Sequence, residues 1–404
     1  MARGDADSEY EVLTTPAGEE LLSEVARVPS PGPSELARWR RVASAELVTA
    51  AVRLSTTRRR AASKFSRAAE MWLESVGFEQ ATAELVAKAK ARRFGSNLVV
   101  DFCAGIGGDS LALAAEGKVI AVDSDPGMCR RIAWNAEVYG VGGNLLPVQS
   151  KAETLPLPTG AFVHVDPDRR AGDSKKGRAR LLQDYVPSLE FLGSLPNRSP
   201  GGAVKLGPAS DFEESPEFSA WEIEIVSLGG ECKEATAWFG ELATCRRRAT
   251  CLPQGATWTE KDGPGGRSAP SREVSRWIYD PDPSLSRTRL LDSFVLAHDL
   301  ARVAPTIDFL TSEAFVTSPF LASYEVIETA PVDRKALRRL IARHQVGVLD
   351  IKPRGGLNVK PEELRKELKL EGPNRATLFL WGGHVPSQAV LARRWAGEDD
   401  ALKP

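Results

Sequence analysis

The sequence is sparing with cysteine and histidine and has no long apolar run. Its five cysteines (Cys103, Cys129, Cys232, Cys245 and Cys251) form no C-x-x-C pair. Neither a disulfide framework nor a zinc ribbon is implied, and reduced thiols in the cytoplasm are the expectation. Four scattered histidines, His164, His298, His344 and His384, give no metal-ligand spacing, so no metal is expected. No stretch approaches the roughly 18 apolar residues of a membrane span. The acidic start lacks the basic-then-apolar order of a signal peptide, so no membrane association is expected. Neither sign of charge prevails: 53 Lys/Arg stand against 54 Asp/Glu. The overall field would not draw the chain to a polyanion.

The distribution of charge says more than its sum. Residues 37–67 hold nine Lys/Arg against Glu46 alone, and residues 331–370 hold eleven against five acids. Two basic stretches flank a balanced middle, a footprint suited to phosphate backbones. A length of 404 residues predicts two or three domains. Residues 1–33, acidic and then "VPSPGPS", read as a frayed tail and linker. Residues 34–95 carry apolar residues at helical spacing and read as a small helical domain. From residue 96 the strands "NLVVDF", "VIAVD", "LLPVQ", "AFVHVD" and "GAVKL" alternate with helical stretches, the signature of a doubly wound α/β sheet. A β-hairpin centred on Gly229 and Gly230 is expected to end that sheet. Residues 287–404 mix both patterns, "LLDSFVLAHDLARVA" as a helix and "YEVIETA" as a strand, and predict a compact α+β module.

The segment "NLVVDFCAGIGGDSLALAAEGKVIAVDSDP", residues 97–126, carries the chemistry. Its turn lacks the lysine of a P-loop and the third glycine of a dinucleotide fingerprint. Asp101 stands four residues before Gly105. A pyrophosphate on a helix N-terminus disfavours a carboxylate there, whereas a sulfonium with its ammonium favours one. Asp123 closes the second strand, where an acid accepts hydrogen bonds from ribose hydroxyls. Gly105, Gly107 and Gly108 permit close backbone approach. Together they predict S-adenosylmethionine as the cofactor.

These residues resemble the first motifs of class I methyltransferases. They are similar in particular to RNA-modifying members with Asp-x-Phe-Cys-x-Gly-x-Gly-Gly, such as the trimethylguanosine synthases. The resemblance implies a Rossmann-like fold and methyl transfer. Where that family holds the adenine amine with an acid after the third strand, this chain has Lys151, so the backbone near Ala152 or the side chain of Glu153 is expected to substitute. The segment "FVHVDPDRR" then falls in the place of the acceptor motif. The resemblance implies that Asp166 and Pro167 orient an amine, while Arg169 stands where an aromatic is usual. A second resemblance is to the Lys-Asp-Lys-Glu set of ribose 2′-O-methyltransferases. It implies Asp166, Lys205 with a lowered pKa, Glu234, and Lys64 as the early lysine.

The overall arrangement resembles a bacterial methyltransferase family with a C-terminal THUMP-like domain, through "FEQATAELVAKAKARRF", "VDPDRR" and "VGVLDIKPRGGLNVKPEELRKEL". That resemblance implies RNA, a tRNA or rRNA, as partner. Arg338, Arg339, Arg343, Lys352 and Arg354 are the candidates for backbone contacts. The reading is therefore a methyltransferase acting on an RNA base nitrogen or ribose 2′-hydroxyl. Lys151, Asp168 and Arg169 depart from the motifs and leave a second reading open, a methyltransferase-fold RNA- or ribosome-binding protein without turnover. Oligomeric state has no signature in the sequence.

Overall fold

The computed structural model describes residues 9–12, 14–168, 185–207, 216–271 and 273–395. The chain forms two compact units, Met1–Glu222 with Glu234–Thr244, and Ile223–Lys233 with Cys245–Pro404.

The first unit opens with helices α1 (Pro16–Ala26), α2 (Pro33–Trp39), α3 (Ala45–Ala61), α4 (Ser75–Gln80) and α5 (Glu84–Phe94). Side-chain caps start three of them: Thr15 accepts from Gly18 N–H, Ser44 from Leu47 N–H, and Glu74 from the N–H groups of Val76 and Gly77. The expected tail is corrected over residues 16–26, where α1 buries Leu21, Leu22 and Val25 on one face. That apolar face outweighs the acidic composition around it.

A parallel sheet follows in the order β3 (Leu145–Gln149), β2 (Val119–Asp123), β1 (Val99–Phe102), β4 (Phe162–Val165), β5 (Gly201–Leu206). Strand β7 (Glu231–Gly240) pairs antiparallel to β5, with Lys205 opposite Thr236. Helices α6 (Gly108–Glu116) and α7 (Pro126–Tyr139) make the first crossovers. The helical segment is not a separate domain. Leu54, Met71 and Phe94 share one core with Leu111, Ile132 and Trp238.

In the second unit β6 (Glu222–Leu228) pairs parallel with β8 (Arg247–Leu252), which pairs with β9 (Ala256–Thr259). The chain does turn at Gly229 and Gly230, both at positive φ. The expected hairpin nevertheless does not end the sheet, since β8 adds beyond β6. A seven-stranded sheet completes this unit in the order β11 (Ala301–Ala304), β12 (Ile307–Ser312), β10 (Trp277–Pro281), β13 (Leu321–Ala330), β16 (Gln388–Arg394), β15 (Asn374–Trp381), β14 (Val346–Arg354). Helix α8 (Leu291–Ala297) ends earlier than its sequence pattern predicts. Asp299 takes a positive φ and the chain continues as β11. Helix α9 (Arg334–Arg343) buries Leu337, Leu340 and Ile341 against Leu349 and Leu378. The expected boundary at 286/287 thus falls inside this unit, after its β10. No described helix is long and apolar enough to cross a membrane.

Candidate active site

Parallel pairing brings the C-terminal ends of β1, β2 and β4 together, and with them Asp101, Asp123 and Asp166. After β1 the chain turns through Cys103, Gly105 and Gly107, all at positive φ. A Cβ at Gly105 would meet nothing within 4 Å, so the backbone there lies open to a ligand. Its N–H donates to Asp123 Oδ2 over 2.9 Å, and Asp123 Oδ1 accepts from Asp125 N–H at 2.9 Å. Burial pushes the Asp123 carboxyl above its usual range, against the pull of these two N–H groups. Gly108 has another reason to be small. A Cβ there would stand 3.3 Å from Ala81 Cβ, so it serves the packing of α6 on the loop before α5. Ala152 is buried in the turn after β3, where Ser150 N–H donates to Asp123 C=O. Burial also drives the thiol of Cys103 well above its usual pKa, which makes it a poor nucleophile.

Asp101 does not face outward as expected. It is 1% exposed, Ser110 Oγ donates to its Oδ2, and His164 Nδ1 lies 2.6 Å from its Oδ1. His164 Nε2 in turn lies 3.2 Å from Lys90 Nζ. An ammonium can only donate, so Nε2 accepts and the ring proton sits on Nδ1 against Asp101. Lys90 also reaches Glu234 at 2.7 Å and Asp109 at 3.0 Å. Thr82 donates to Asp109 (2.6 Å) and Thr236 to Glu234 (2.8 Å). Burial opposes the Lys90 charge, but Asp109 and Glu234 outweigh it and raise its pKa. This network ties α5, α6, β1, β4 and β7 into one body.

Sequence reasoning missed Lys90, and two residues that it did name, Glu234 and Lys64, make other contacts than expected. Glu234, expected beside the acceptor, is 1% exposed and belongs to the network. Lys64, expected as the early lysine, donates to the carbonyls of Phe78, Glu79 and Ala81 at the end of α4.

At the end of β4, Asp166 remains a quarter exposed, and Lys205 Nζ from β5 donates to its Oδ2 over 2.6 Å. Lys205 also donates to Gln80 C=O at 3.3 Å. Burial disfavours its ammonium, yet Asp166, Glu234 and Asp109 overcome that and raise its pKa. The shift is thus opposite to the expected lowering, and the ion pair with Asp166 favours the ammonium form. Burial raises the carboxyl of Asp166 too, with Lys205 opposing. Pro167 is buried behind it, and Asp168 forms a two-bond bridge with Val186. Next to Val186, the hydroxyl of Tyr185 accepts from Gly207 N–H just past β5. No sequence motif marked this ring as a neighbour of the acceptor strands. Arg169 lies outside the described residues.

The basic residues of the second unit separate into two kinds. Lys352 and Arg354 both reach Asp280, at 2.8 and 3.3 Å, and remain partly exposed. Arg338 donates to Glu367 C=O, and Arg343 pairs with Glu328. Arg339 alone of the five is exposed without an ion pair or side-chain hydrogen bond among the described residues. Those residues contain no cluster of His, Cys, Asp and Glu that could hold a metal.

Comparison with known proteins places these features. Residues 96–176 match the family described as RNA cap guanine-N2 methyltransferase, and residues 321–394 match the THUMP domain-like family. Residues 8–61 match a domain family of unknown function. Two uncharacterized S-adenosylmethionine-dependent methyltransferases of Mycobacterium tuberculosis, from strains CDC 1551 / Oshkosh and ATCC 25618 / H37Rv, are each 32% identical over 337 residues. The match covers 80% of this chain and 89% of theirs. The crystal structure of a candidate methyltransferase from Porphyromonas gingivalis W83 has the same fold, with a TM-score of 0.77 at 19% identity over 96% of this chain and 98% of that one.

Proposed function

The chain belongs to the S-adenosylmethionine-dependent methyltransferases, and from that premise we propose that it methylates an amino nitrogen of an RNA base. The residues at the strand ends fit the cofactor. Asp123 stands where ribose hydroxyls donate, the open backbone at Gly105 admits a close approach, and the turn holding Ala152 adjoins them. Bound there, the sulfonium supplies an electrophilic methyl group.

The observation that carries the choice of acceptor is the Asp166–Lys205 pair. A hydroxyl must lose its proton to attack, and Lys205, paired with the Asp166 carboxylate at 2.6 Å, is placed as an ion-pair partner rather than as a base. An amine brings its own lone pair. Asp166 accepts one N–H, aims the nitrogen, and stabilises the positive charge that grows on it during transfer. Lys205 fixes the carboxylate in place. The match of residues 96–176 to a guanine-N2 methyltransferase family supports an exocyclic amine, and the THUMP domain-like match supports RNA.

The test is methyl transfer from S-adenosylmethionine labelled in its methyl group to RNA, followed by acid hydrolysis that separates bases from ribose. Label in the base fraction is expected, and label in the ribose fraction would overturn the choice of amine. Asp123→Ala is expected to weaken cofactor binding at least about tenfold in calorimetric titration, since it removes a ribose partner and the anchor of Gly105. Unchanged affinity would place the cofactor elsewhere.

A further inference from the structure

Three rings meet at one edge of the second unit: Trp277 of β10, Phe315 in the loop after β12, and Trp395 just past β16. Their centroids lie 4.7 Å (Trp277–Phe315), 5.4 Å (Trp277–Trp395) and 5.6 Å (Phe315–Trp395) apart. Trp277 is 5% exposed and belongs to the core. Phe315 and Trp395 are 42% and 47% exposed, two of the few large apolar side chains left to solvent. With Leu321, Ser323 and Arg394 they line a concavity of about 250 Å³. Tightly packed rings at a core edge would turn inward, and these two do not.

The surroundings say what would cover them. The Arg276 guanidinium lies 5.6 Å over the Trp277 ring with its side chain 61% exposed, and Arg393 and Arg394 end β16 exposed. Two carboxylates stand nearby: Glu325 pairs with Arg276 at 3.2 Å, and Glu313 accepts from its N–H at 3.5 Å. Among the described residues, three arginines stand against two acids beside the two exposed rings. A protein partner's apolar residue would use the rings and leave the arginines idle. A nucleobase uses the rings, while its phosphates use the arginines.

We propose that Phe315 and Trp395 form a stacking seat for an unpaired base of single-stranded RNA. This rests on the RNA reading above and adds the form of RNA held: a loop, bulge or end whose bases are free to stack. A duplex, with its bases already stacked, cannot enter. Stacking is tolerant of sequence, so the seat would give grip on unpaired RNA and leave the choice of nucleotide to the Asp166 site.

The test is fluorescence anisotropy with a labelled ten-nucleotide single strand of mixed sequence and a duplex of equal length, using the full chain at fixed salt. Wild type is expected to prefer the single strand. Phe315→Ala/Trp395→Ala is expected to lose at least about fivefold in affinity for it, the lower end of what one base–ring stack contributes. Duplex binding and the calorimetric affinity for S-adenosylmethionine should not move, which also reports folding. Trp395→Ala alone serves if the double variant does not fold, and Trp395→Phe should restore binding. Equal single-strand binding by wild type and variants would remove the seat and leave the RNA reading standing. No binding of either RNA by wild type would overturn both.

Discussion

Replacing Lys90 by methionine is expected to lower the stability of the first unit by about 3–5 kcal/mol, the usual cost of leaving buried charge without its partner. Asp109 and Glu234 are 7% and 1% exposed, and Lys90 is the cation both carboxylates reach. Methionine keeps the length of the side chain and removes only the charge and its donors, so packing contributes little to the loss. The shift is read from the urea midpoint. The triple variant Lys90→Met/Asp109→Asn/Glu234→Gln should recover much of it, because neutral side chains of similar volume carry no buried charge. If Lys90→Met unfolds like wild type, the network is not what binds α5 to the sheet.

The same network sets a pH window. Although burial opposes it, Lys90 lowers the pKa of Asp109 below the ordinary aspartate value. Its stabilisation is therefore complete above the unfolded value of about 4 and fades as pH falls from there. Lys90 is shifted upward, so its share is complete below the unfolded lysine value of about 10.4 and is lost as pH rises through the folded one. The penalty of Lys90→Met should be largest at neutral pH and above and shrink as pH falls, because the buried carboxylates left without their cation take up protons. A penalty that did not change from neutral to acidic pH would contradict the ion pairs.

Asp166→Asn is expected to lower kcat by about 10²- to 10³-fold with the affinity for S-adenosylmethionine unchanged. The amide can still accept a hydrogen bond, but it cannot offset the positive charge that develops on the amine. Single-turnover methyl transfer separates the two effects. The pH profile gives an independent check. Burial raises the Asp166 carboxyl, so the acidic limb of wild-type activity should lie above the ordinary aspartate value, activity rising as pH passes through it. That limb should vanish in Asp166→Asn. Full activity in the variant would remove Asp166 from the chemistry.

The glycine turn was legible because its meaning is local: Gly105, Gly107 and Asp123 act within 20 or so residues of one another, and their spacing encodes the crossover. Asp166 and Lys205 stood out because each lies at the end of an apolar run, but the ion pair that they form was not legible in that pattern. Lys90 was not. It stands among Lys88, Arg92 and Arg93 on α5 with nothing in spacing to single it out. Only burial does, and that depends on Glu234, which the chain reaches two strands past Lys205. Asp101 misled by its position, since an acid ending β1 suits a cationic ligand. The parallel register sets it opposite His164, which takes it inward. That Lys352 and Arg354 share Asp280 was not legible, because that partner lies over 70 residues earlier. Strands β10 and β16 lack clean alternation, and the expected boundary at 286/287 fell after β8, β9 and β10, which all belong to the second unit.

The central claim is that this chain transfers methyl groups to RNA. It is tested most directly by giving purified protein, with methyl-labelled S-adenosylmethionine, total RNA from cells lacking the gene and from their parent. The account predicts label entering one nucleoside, identified by mass spectrometry, in RNA from the deletion strain and little in RNA from the parent, where that position is already modified. Label entering neither RNA, from protein that binds the cofactor, would contradict it.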